Sequence, residues 1–217
     1  EIYMSSNSDM EWGNTGFRFV RIDFILNQTY SINKIVAGFI HTDMERVGDF
    51  KTSNRLAEVY DTSAYTLFLN VQNSIWDGIK RDRLIWLGDL HPETSTIAHV
   101  FGGDESVYAT LDLACKQYPL PNNWFNGMSA YSMWYLIIQH DWYMQFGRKE
   151  FLEQHQNYIT GLIDLIDTKV HPDGTETLSN SRVLDWPSSP NTKGVEAGYR
   201  ALLVWAMTDG AKLCQVL

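Results

Sequence analysis

The pattern of apolar and polar positions is helical over most of the chain. The first helical series runs through Leu56, Val59, Tyr60, Ala64, Leu67, Phe68 and Val71. Further helices are predicted at about residues 94–101, 104–117, 129–146, 148–168 and 195–217. Because these helices follow one another without strands between them, the pattern excludes a doubly wound sheet and favours an all-helical bundle, solenoid or toroid. No repeat of fixed period is present, which disfavours a conventional solenoid.

Two segments near the start of the chain have the pattern of β-strands instead. Residues 17–26 alternate apolar and polar side chains and then become continuously apolar, and residues 35–40 form a second apolar run. The sequence therefore predicts two strands ahead of the helices.

Composition and charge narrow the classes of function. The 217 residues, of which 44% are hydrophobic, suffice to bury a core, so the chain should fold. A formal net charge of -9 makes nucleic acid an unsuitable partner, because such binding draws on clustered Lys and Arg. No apolar run reaches the ~18 residues of a membrane-spanning helix, so no membrane partner is expected. The two cysteines are too few for a disulfide framework. No cofactor is expected, since no His, Cys and Asp cluster has metal-ligand spacing, although an all-oxygen calcium site stays open.

Trp and acidic residues are concentrated in three predicted loops, at about residues 76–93, 119–128 and 171–194. A pyranose ring offers a C–H face that stacks on an aromatic side chain, and its hydroxyls are suited to carboxylates. For any single Trp, packing in the core is the more common role. The occurrence of Trp and acid in the same loops favours a carbohydrate site.

The segment WDGIKRDRLIWLGDLHPE, residues 76–93, places four carboxylates and three basic residues among apolar neighbours. When carboxyl groups are crowded in this way, their pKa values become different from one another. A glycosidase needs such a difference, with one carboxyl protonated to donate to the leaving oxygen and one ionised to activate water or attack. A salt-bridge cluster at the start of a helix would show the same residue types.

In its order of residues, DGIKRDRLIWLGD resembles the α-L-rhamnosidase family of inverting glycoside hydrolases. That family typically shows Asp-Cys-Pro-x-Arg, then acidic residues, then Gly-Trp-x-Gly-Asp. The resemblance implies a mainly α fold, in which residues 46–217 form the N-terminal part of an (α/α)6 catalytic toroid. Residues 1–45 would be the last strands of a preceding β-sandwich domain. Both ends of the chain look cut, so we expect a fragment.

The resemblance also implies roles for individual residues. The positions that match sugar contacts are Asp77, Arg81, Trp86 and Asp89, and further candidates for substrate binding are His91, Trp124, Trp134, Asp185 and Trp186. Asp82 is the candidate general acid, at or next to the position where many family members have Glu, in a loop that is one residue shorter. Glu93 is the reserve candidate. The family's general base is a Glu in a later unit, which we expect beyond residue 217.

We therefore expect an enzyme of carbohydrate metabolism and polysaccharide degradation that hydrolyses terminal α-L-rhamnosides with inversion. A rhamnose-containing oligosaccharide or glycoside would be its partner, and the family suggests a secreted or periplasmic location. Two alternatives stay open. One is a six-hairpin glycosidase for another sugar, and the other is a carbohydrate-binding protein of the same fold that has lost its acid.

Overall fold

The computed structural model describes residues 13, 15–53, 55–121, 123–178 and 181–217. Within these ranges the α-helices are α1 (Leu56–Asn70), α2 (Leu87–Val100), α3 (Glu105–Gln117), α4 (Ser129–Phe146), α5 (Lys149–Asp167) and α6 (Thr192–Val216). A short 3₁₀ turn at Phe125–Gly127 precedes α4. In the described part of the chain, no helix has the length and apolar character needed to cross a membrane. The mainly helical fold predicted from the pattern is confirmed.

Local signals explain where most of these helices begin and end. The predictions at 104–117, 129–146 and 148–168 are confirmed to within one residue at either end. Asp104 caps α3 by accepting a hydrogen bond from the N–H of Ser106 at 2.8 Å, and Asn191 caps α6 by accepting one from Gly194 at 3.0 Å. Helix α4 ends at Gly147, whose φ of 66° lies in the left-handed region that favours glycine.

The helix predicted at 94–101 begins much earlier, at Leu87, so this prediction was wrong at its start. Pro92 lies in the second turn of α2. Because Pro has no N–H, the carbonyl of Gly88 loses its helical donor, but this single loss does not stop the helix from starting at Leu87. The consequence is that Asp89 and Glu93, which the sequence pattern put in a loop, lie one turn apart on a helix.

Alternate helices of the chain, α2, α4 and α6, pack side by side in one layer. Helix α4 packs against both α2 and α6, while α5 contacts α3, α4 and α6. Helices α2 and α4 run parallel, because Gly88 lies against Tyr131 near their first turns and His91 stacks on Trp134 one turn later. We refer to α2, α4 and α6 as the middle layer.

Helix α6 runs parallel to α4 as well. The hydroxyls of Ser129 and Tyr199 hydrogen-bond near the start of both helices, and His140 approaches Asp209 further along. All three helices of the middle layer therefore start at the same end. The segments that precede them, at 71–86, 118–128 and 168–191, lie at that end too, and these are the segments rich in Trp and acid.

Helix α4 lies at the centre of the core. More than half of its residues are buried, since neighbouring helices surround it. Tyr135 is fully buried, and its hydroxyl accepts hydrogen bonds from Gln139 Nε2 at 2.8 Å and from Cys115 Sγ at 3.1 Å. The hydroxyl of Tyr135 is thus paired, which avoids the cost of burying it alone. By contrast, Nε1 of Trp142, also on α4, is buried without a hydrogen-bond partner among the described residues.

The two strands predicted at 17–26 and 35–40 are not formed. Residues 15–53 have no regular secondary structure, and their large apolar side chains are exposed except for Met44. A strand is stable only when a neighbour pairs with its backbone, and the described residues provide no such ladder here. The assignment of residues 1–45 to a β-sandwich stays a prediction, and residues 1–12 and 14 lie outside the described residues.

Candidate functional site

The acidic loop, residues 71–86 between α1 and α2, is closed by reciprocal hydrogen bonds. The N–H of Asp77 donates to the carbonyl of Leu84, and the N–H of Leu84 donates to Oδ1 of Asp77, each at 3.1 Å. Arg83 lies between them at a φ of 54°, in the left-handed region that allows a tight reversal. Asp77 is therefore fixed where the two ends of a compact turn meet.

Asn126 holds the end of the acidic loop in place. Its Nδ2 donates to the carbonyl of Ile85 at 3.0 Å, and its Oδ1 accepts from the N–H of Leu87 at 3.2 Å. The amide therefore pairs with the backbone on both sides of Trp86, as a neighbouring strand would. Nδ2 also donates to the hydroxyl of Tyr118 at 3.1 Å. This pairing fixes the orientation of Trp86 and the first turn of α2.

The charges of Asp77 and Asp89 lie close enough to Glu93 to affect its protonation. Burial, together with the charges of Asp89 and Asp77, raises the pKa of Glu93 to about 8. Burial also raises the pKa of Asp89, with further contributions from Asp77 and Asp82, but Asp89 keeps much of its surface in water. In the described part of the chain, the carboxyl of Glu93 makes no hydrogen bond. Glu93 therefore retains its proton up to about pH 8.

Asp82 is in a different electrostatic environment. Arg81 donates from Nε to Oδ1 and from Nη2 to Oδ2 of Asp82, each at 3.0 Å. This bidentate hydrogen bond and the guanidinium charge hold the pKa of Asp82 below its ordinary value. Asp82 therefore stays ionised where Glu93 is protonated.

Aromatic rings form a wall beside the carboxyl groups. Trp86 meets Tyr131 edge to face, with ring centroids 6.1 Å apart. Burial and the nearby charge of Asp89 raise the pKa of Tyr131. Gly88 allows this packing, because a Cβ at that position would lie 2.3 Å from Cε1 of Tyr131. The Nε1 of Trp86 is buried and has no hydrogen-bond partner among the described residues.

His91 and Trp134 lie together in a second cluster, on the side of α2 away from Asp89 and Glu93. Their rings stack at 4.7 Å, and Trp205 of α6 meets His91 edge-on at 5.7 Å. Nε2 of His91 lies 3.3 Å from Oδ2 of Asp141. Residues at positions 89 and 93 share a helical face that position 91 does not. The structure thus divides the predicted site residues of α2 between two faces.

The remaining predicted site residues make only local or core contacts within the described part of the chain. Trp124 is partly buried and packs against the core. Asp185 accepts a hydrogen bond from the N–H of Ser188 at 2.7 Å, and Trp186 is 85% exposed. An exposed Trp at the loop-bearing end of the middle layer is available to a ligand, but no described contact joins it to Glu93. The role of these three residues in sugar binding stays a prediction.

The sequence and this geometry agree with one family. Residues 45–206 match the bacterial alpha-L-rhamnosidase 6 hairpin glycosidase domain. The chain belongs to the bacterial α-L-rhamnosidase six-hairpin glycosidase family. No curated protein matches the chain.

Membership of the rhamnosidase family confirms the resemblance drawn from DGIKRDRLIWLGD, which lies inside the matched span. The helices described above are consistent with part of a six-hairpin α/α fold. The family supports a glycoside hydrolase in general, with a carbohydrate as its substrate. The acidic loop, α2 and the start of α4 are then the parts of this rhamnosidase-family domain that bring carboxyl groups and aromatic rings together.

Two residues of this rhamnosidase-family domain have roles that sequence reasoning missed. Asn126 lies in a loop rich in Pro, Asn and Gly, where it looks like an ordinary turn residue. Its pairing with Ile85 and Leu87 depends on a contact across about 40 positions of sequence, for which the pattern holds no signal. Trp205 follows the apolar pattern of α6, which by itself indicates packing in the core. The structure instead leaves Trp205 43% exposed.

Proposed function

We propose that this domain belongs to an enzyme that hydrolyses terminal α-L-rhamnosides with inversion, and that Glu93 rather than Asp82 is the general acid. The observation that supports this assignment is the contrast between the two carboxyls. Glu93 is protonated up to about pH 8, while Arg81 keeps Asp82 ionised. A proton donor that works near neutral pH must still carry its proton there.

In the proposed reaction, Glu93 donates its proton to the glycosidic oxygen as the bond to the anomeric carbon breaks. Positive charge develops on the ring, and the carboxylates of Asp77 and Asp89 stabilise it while accepting hydrogen bonds from sugar hydroxyls. Trp86 stacks on or encloses the ring. A water molecule adds from the opposite face and gives its proton to a general base, which the family resemblance puts in a later helical unit.

Asp82 and Arg81 then act in binding. Arg81 exposes 87% of its side chain, so this charged pair offers both hydrogen-bond acceptors and donors to sugar hydroxyls. The same pair supports the alternative function, a carbohydrate-binding protein of the same fold, because an ionised Asp stands at or next to the position of the family's usual acid. The two proposals differ in whether Glu93 transfers a proton.

Substrates with different leaving groups test whether Glu93 transfers a proton. Nitrophenolate leaves without being protonated, whereas an alkoxide needs a proton, so loss of the acid should affect an alkyl rhamnoside far more than an aryl one. We would assay the full-length protein with p-nitrophenyl and methyl α-L-rhamnopyranoside. For Glu93→Gln we expect kcat on the methyl glycoside to fall by about 10²–10⁴-fold, with a much smaller loss on the aryl glycoside.

Matched variants complete the experiment. Asp82→Asn should raise KM without this dependence on the leaving group, and Glu45→Gln, an exposed residue outside the site, should behave as the wild type. Release of the β-anomer, detected by NMR, would support inversion. If Asp82→Asn shows the dependence instead, Asp82 is the acid. If no aryl glycoside is turned over while rhamnose still binds, the protein is a carbohydrate-binding protein.

A further inference from the structure

His140 directs one ring nitrogen at two carboxylates. Its Nδ1 lies 3.3 Å from Oδ1 of Asp141 and 3.5 Å from Oδ2 of Asp209. His140, Asp141 and Asp209 each offer one ligand atom, and these atoms lie within 4.8 Å of one another. The group joins α4 to α6, and Asp209 is almost fully buried. We propose that His140, Asp141 and Asp209 bind one divalent transition-metal ion.

The distances agree with a metal site. Zn²⁺ binds imidazole nitrogen and carboxylate oxygen at about 2.0–2.1 Å in a tetrahedron, which separates neighbouring ligand atoms by roughly 3.4 Å. The separations from Nδ1 of His140, 3.3 and 3.5 Å, lie on either side of that value. A single N–H at Nδ1 can make one good hydrogen bond, so a proton alone satisfies both carboxylates poorly. A metal ion satisfies all three atoms at once.

Each carboxylate has its second oxygen held by another residue. Oδ2 of Asp141 lies 3.3 Å from Nε2 of His91, and Oδ1 of Asp209 accepts a hydrogen bond from Nζ of Lys212 at 2.8 Å. Partners of this kind orient the ligands of a metal and leave the inner oxygens directed at it. Trp134, which stacks on His91, and Trp205, which meets His91 edge-on, fix the His91 ring in turn.

The balance of charge also favours a cation. Two carboxylates face His140, while Lys212 contacts one of them, Asp209, with about half of its side chain exposed. Asp209 exposes only 4% of its side chain, and burying a carboxylate is costly unless positive charge compensates it. A divalent ion would supply that charge between α4 and α6.

An open cleft gives access to this group. His140 and Lys212 form part of its lining, together with Tyr143, Met144 and Gln215. A metal held by three protein ligands keeps a fourth position, which water from the cleft can fill. Along α4, His140 lies eleven residues after Ser129, which corresponds to roughly 16 Å from the loop-bearing end of the helix. The site lies next to His91, on the side of α2 away from Glu93, and its role would be to join two helices.

Metal binding can be measured directly on the chelator-treated, tag-free protein. We expect titration calorimetry with ZnCl₂ to show one site per chain. Replacement by Co²⁺ should give the intense visible absorption of a four-coordinate site. Zn²⁺ should also raise the melting temperature, because it binds the folded state.

Variants identify the ligands. His140→Gln and Asp141→Asn should each weaken Zn²⁺ binding by at least about 100-fold and abolish the thermal shift. Asp141 is half exposed, so its variant should fold, and circular dichroism would check both. His99→Gln, on the exposed face of α2, is the matched control and should bind as the wild type. Absence of one-to-one binding, or equal binding by folded His140→Gln or Asp141→Asn, would overturn the proposal.

Discussion

The guanidinium of Arg81 makes hydrogen bonds to both carboxylate oxygens of Asp82, each at 3.0 Å. This contact between adjacent residues determines which carboxyl of the site can give up a proton. It stabilises the charged form of Asp82, whereas burial and two neighbouring carboxylates stabilise the neutral form of Glu93. Two acids of the same site are therefore suited to different tasks.

The pH dependence of turnover should follow Glu93. We expect kcat/KM for methyl α-L-rhamnopyranoside to decline on the alkaline side with an apparent pKa near 8, because Glu93 must be protonated to donate. If Asp82 were the donor, the decline would begin below its ordinary value of 3.8, since Arg81 lowers its pKa. A pH–rate profile of the full-length protein distinguishes the two, and an alkaline decline that begins below the ordinary Asp value of 3.8 would contradict the assignment of Glu93.

Glu93 should also make the folding stability depend on pH. Its pKa is about 8 in the folded state and near the ordinary value of 4.5 when unfolded. Between these values the folded state binds more protons, so the free energy of unfolding falls as pH rises. Relative to wild type, Glu93→Gln should therefore gain about 2–4 kcal/mol between roughly pH 5 and pH 8.

Urea unfolding of both proteins at several pH values measures this gain. Glu45→Gln, which removes an exposed carboxylate outside the site, is the matched control. A difference between Glu93→Gln and the wild type that does not change with pH would contradict the raised pKa of Glu93.

The helices could be predicted from the sequence because their signals are local. Helix α4 runs from Ser129 to Phe146, as the pattern indicates, and the Asp104 cap is formed. The start of α2 could not be predicted in this way, since Pro92 looks like a break. This error concealed that Asp89 and Glu93 share a helical face, and with it the charge of Asp89 that adds to burial in raising the pKa of Glu93.

Clusters of residues that lie far apart in the sequence could not be predicted either. Metal-ligand spacing cannot be recognised in His140, Asp141 and Asp209, because the third residue is brought near only by the packing of α4 on α6. The predicted strands at 17–26 and 35–40 show the converse. Their apolar pattern is local and clear, but a strand forms only with a partner, which a pattern cannot supply.

Asn126 should be required for both stability and activity. Asn126→Ala removes the pairing with Ile85 and Leu87 and puts a less tolerant residue at a φ of 51°, so we expect a loss of about 2–4 kcal/mol. Asn126→Gly keeps the backbone conformation and should recover about 1 kcal/mol of this loss. Both variants should lower kcat/KM, because Trp86 and the first turn of α2 lose their support.

Chemical denaturation and steady-state kinetics on the full-length protein test this prediction. The matched control is Asn123→Ala, an exposed residue of the same loop, which should be close to neutral. Full activity of Asn126→Gly would show that only the backbone conformation matters, and would rule out the role given to the amide.

Gly88 should resist substitution because Tyr131 occupies the space beside it. A Cβ at position 88 would lie 2.3 Å from Cε1 and 2.6 Å from Cζ of Tyr131, so Gly88→Ala must displace the ring. We expect a loss of about 1–3 kcal/mol and a displaced Trp86, whose edge-to-face contact with Tyr131 depends on the same approach. Tryptophan fluorescence and urea unfolding measure the two effects.

The cause of that loss can be isolated with a double mutant. If the clash with Tyr131 is responsible, Gly88→Ala should cost little in a Tyr131→Ala background, so the two losses would not add. Gly78→Ala, in the same acidic loop but with nothing within 4 Å of its Cβ, should change stability by less than about 1 kcal/mol. Strict additivity of the two losses would instead mean that Gly88 is needed for its own backbone and not for the ring.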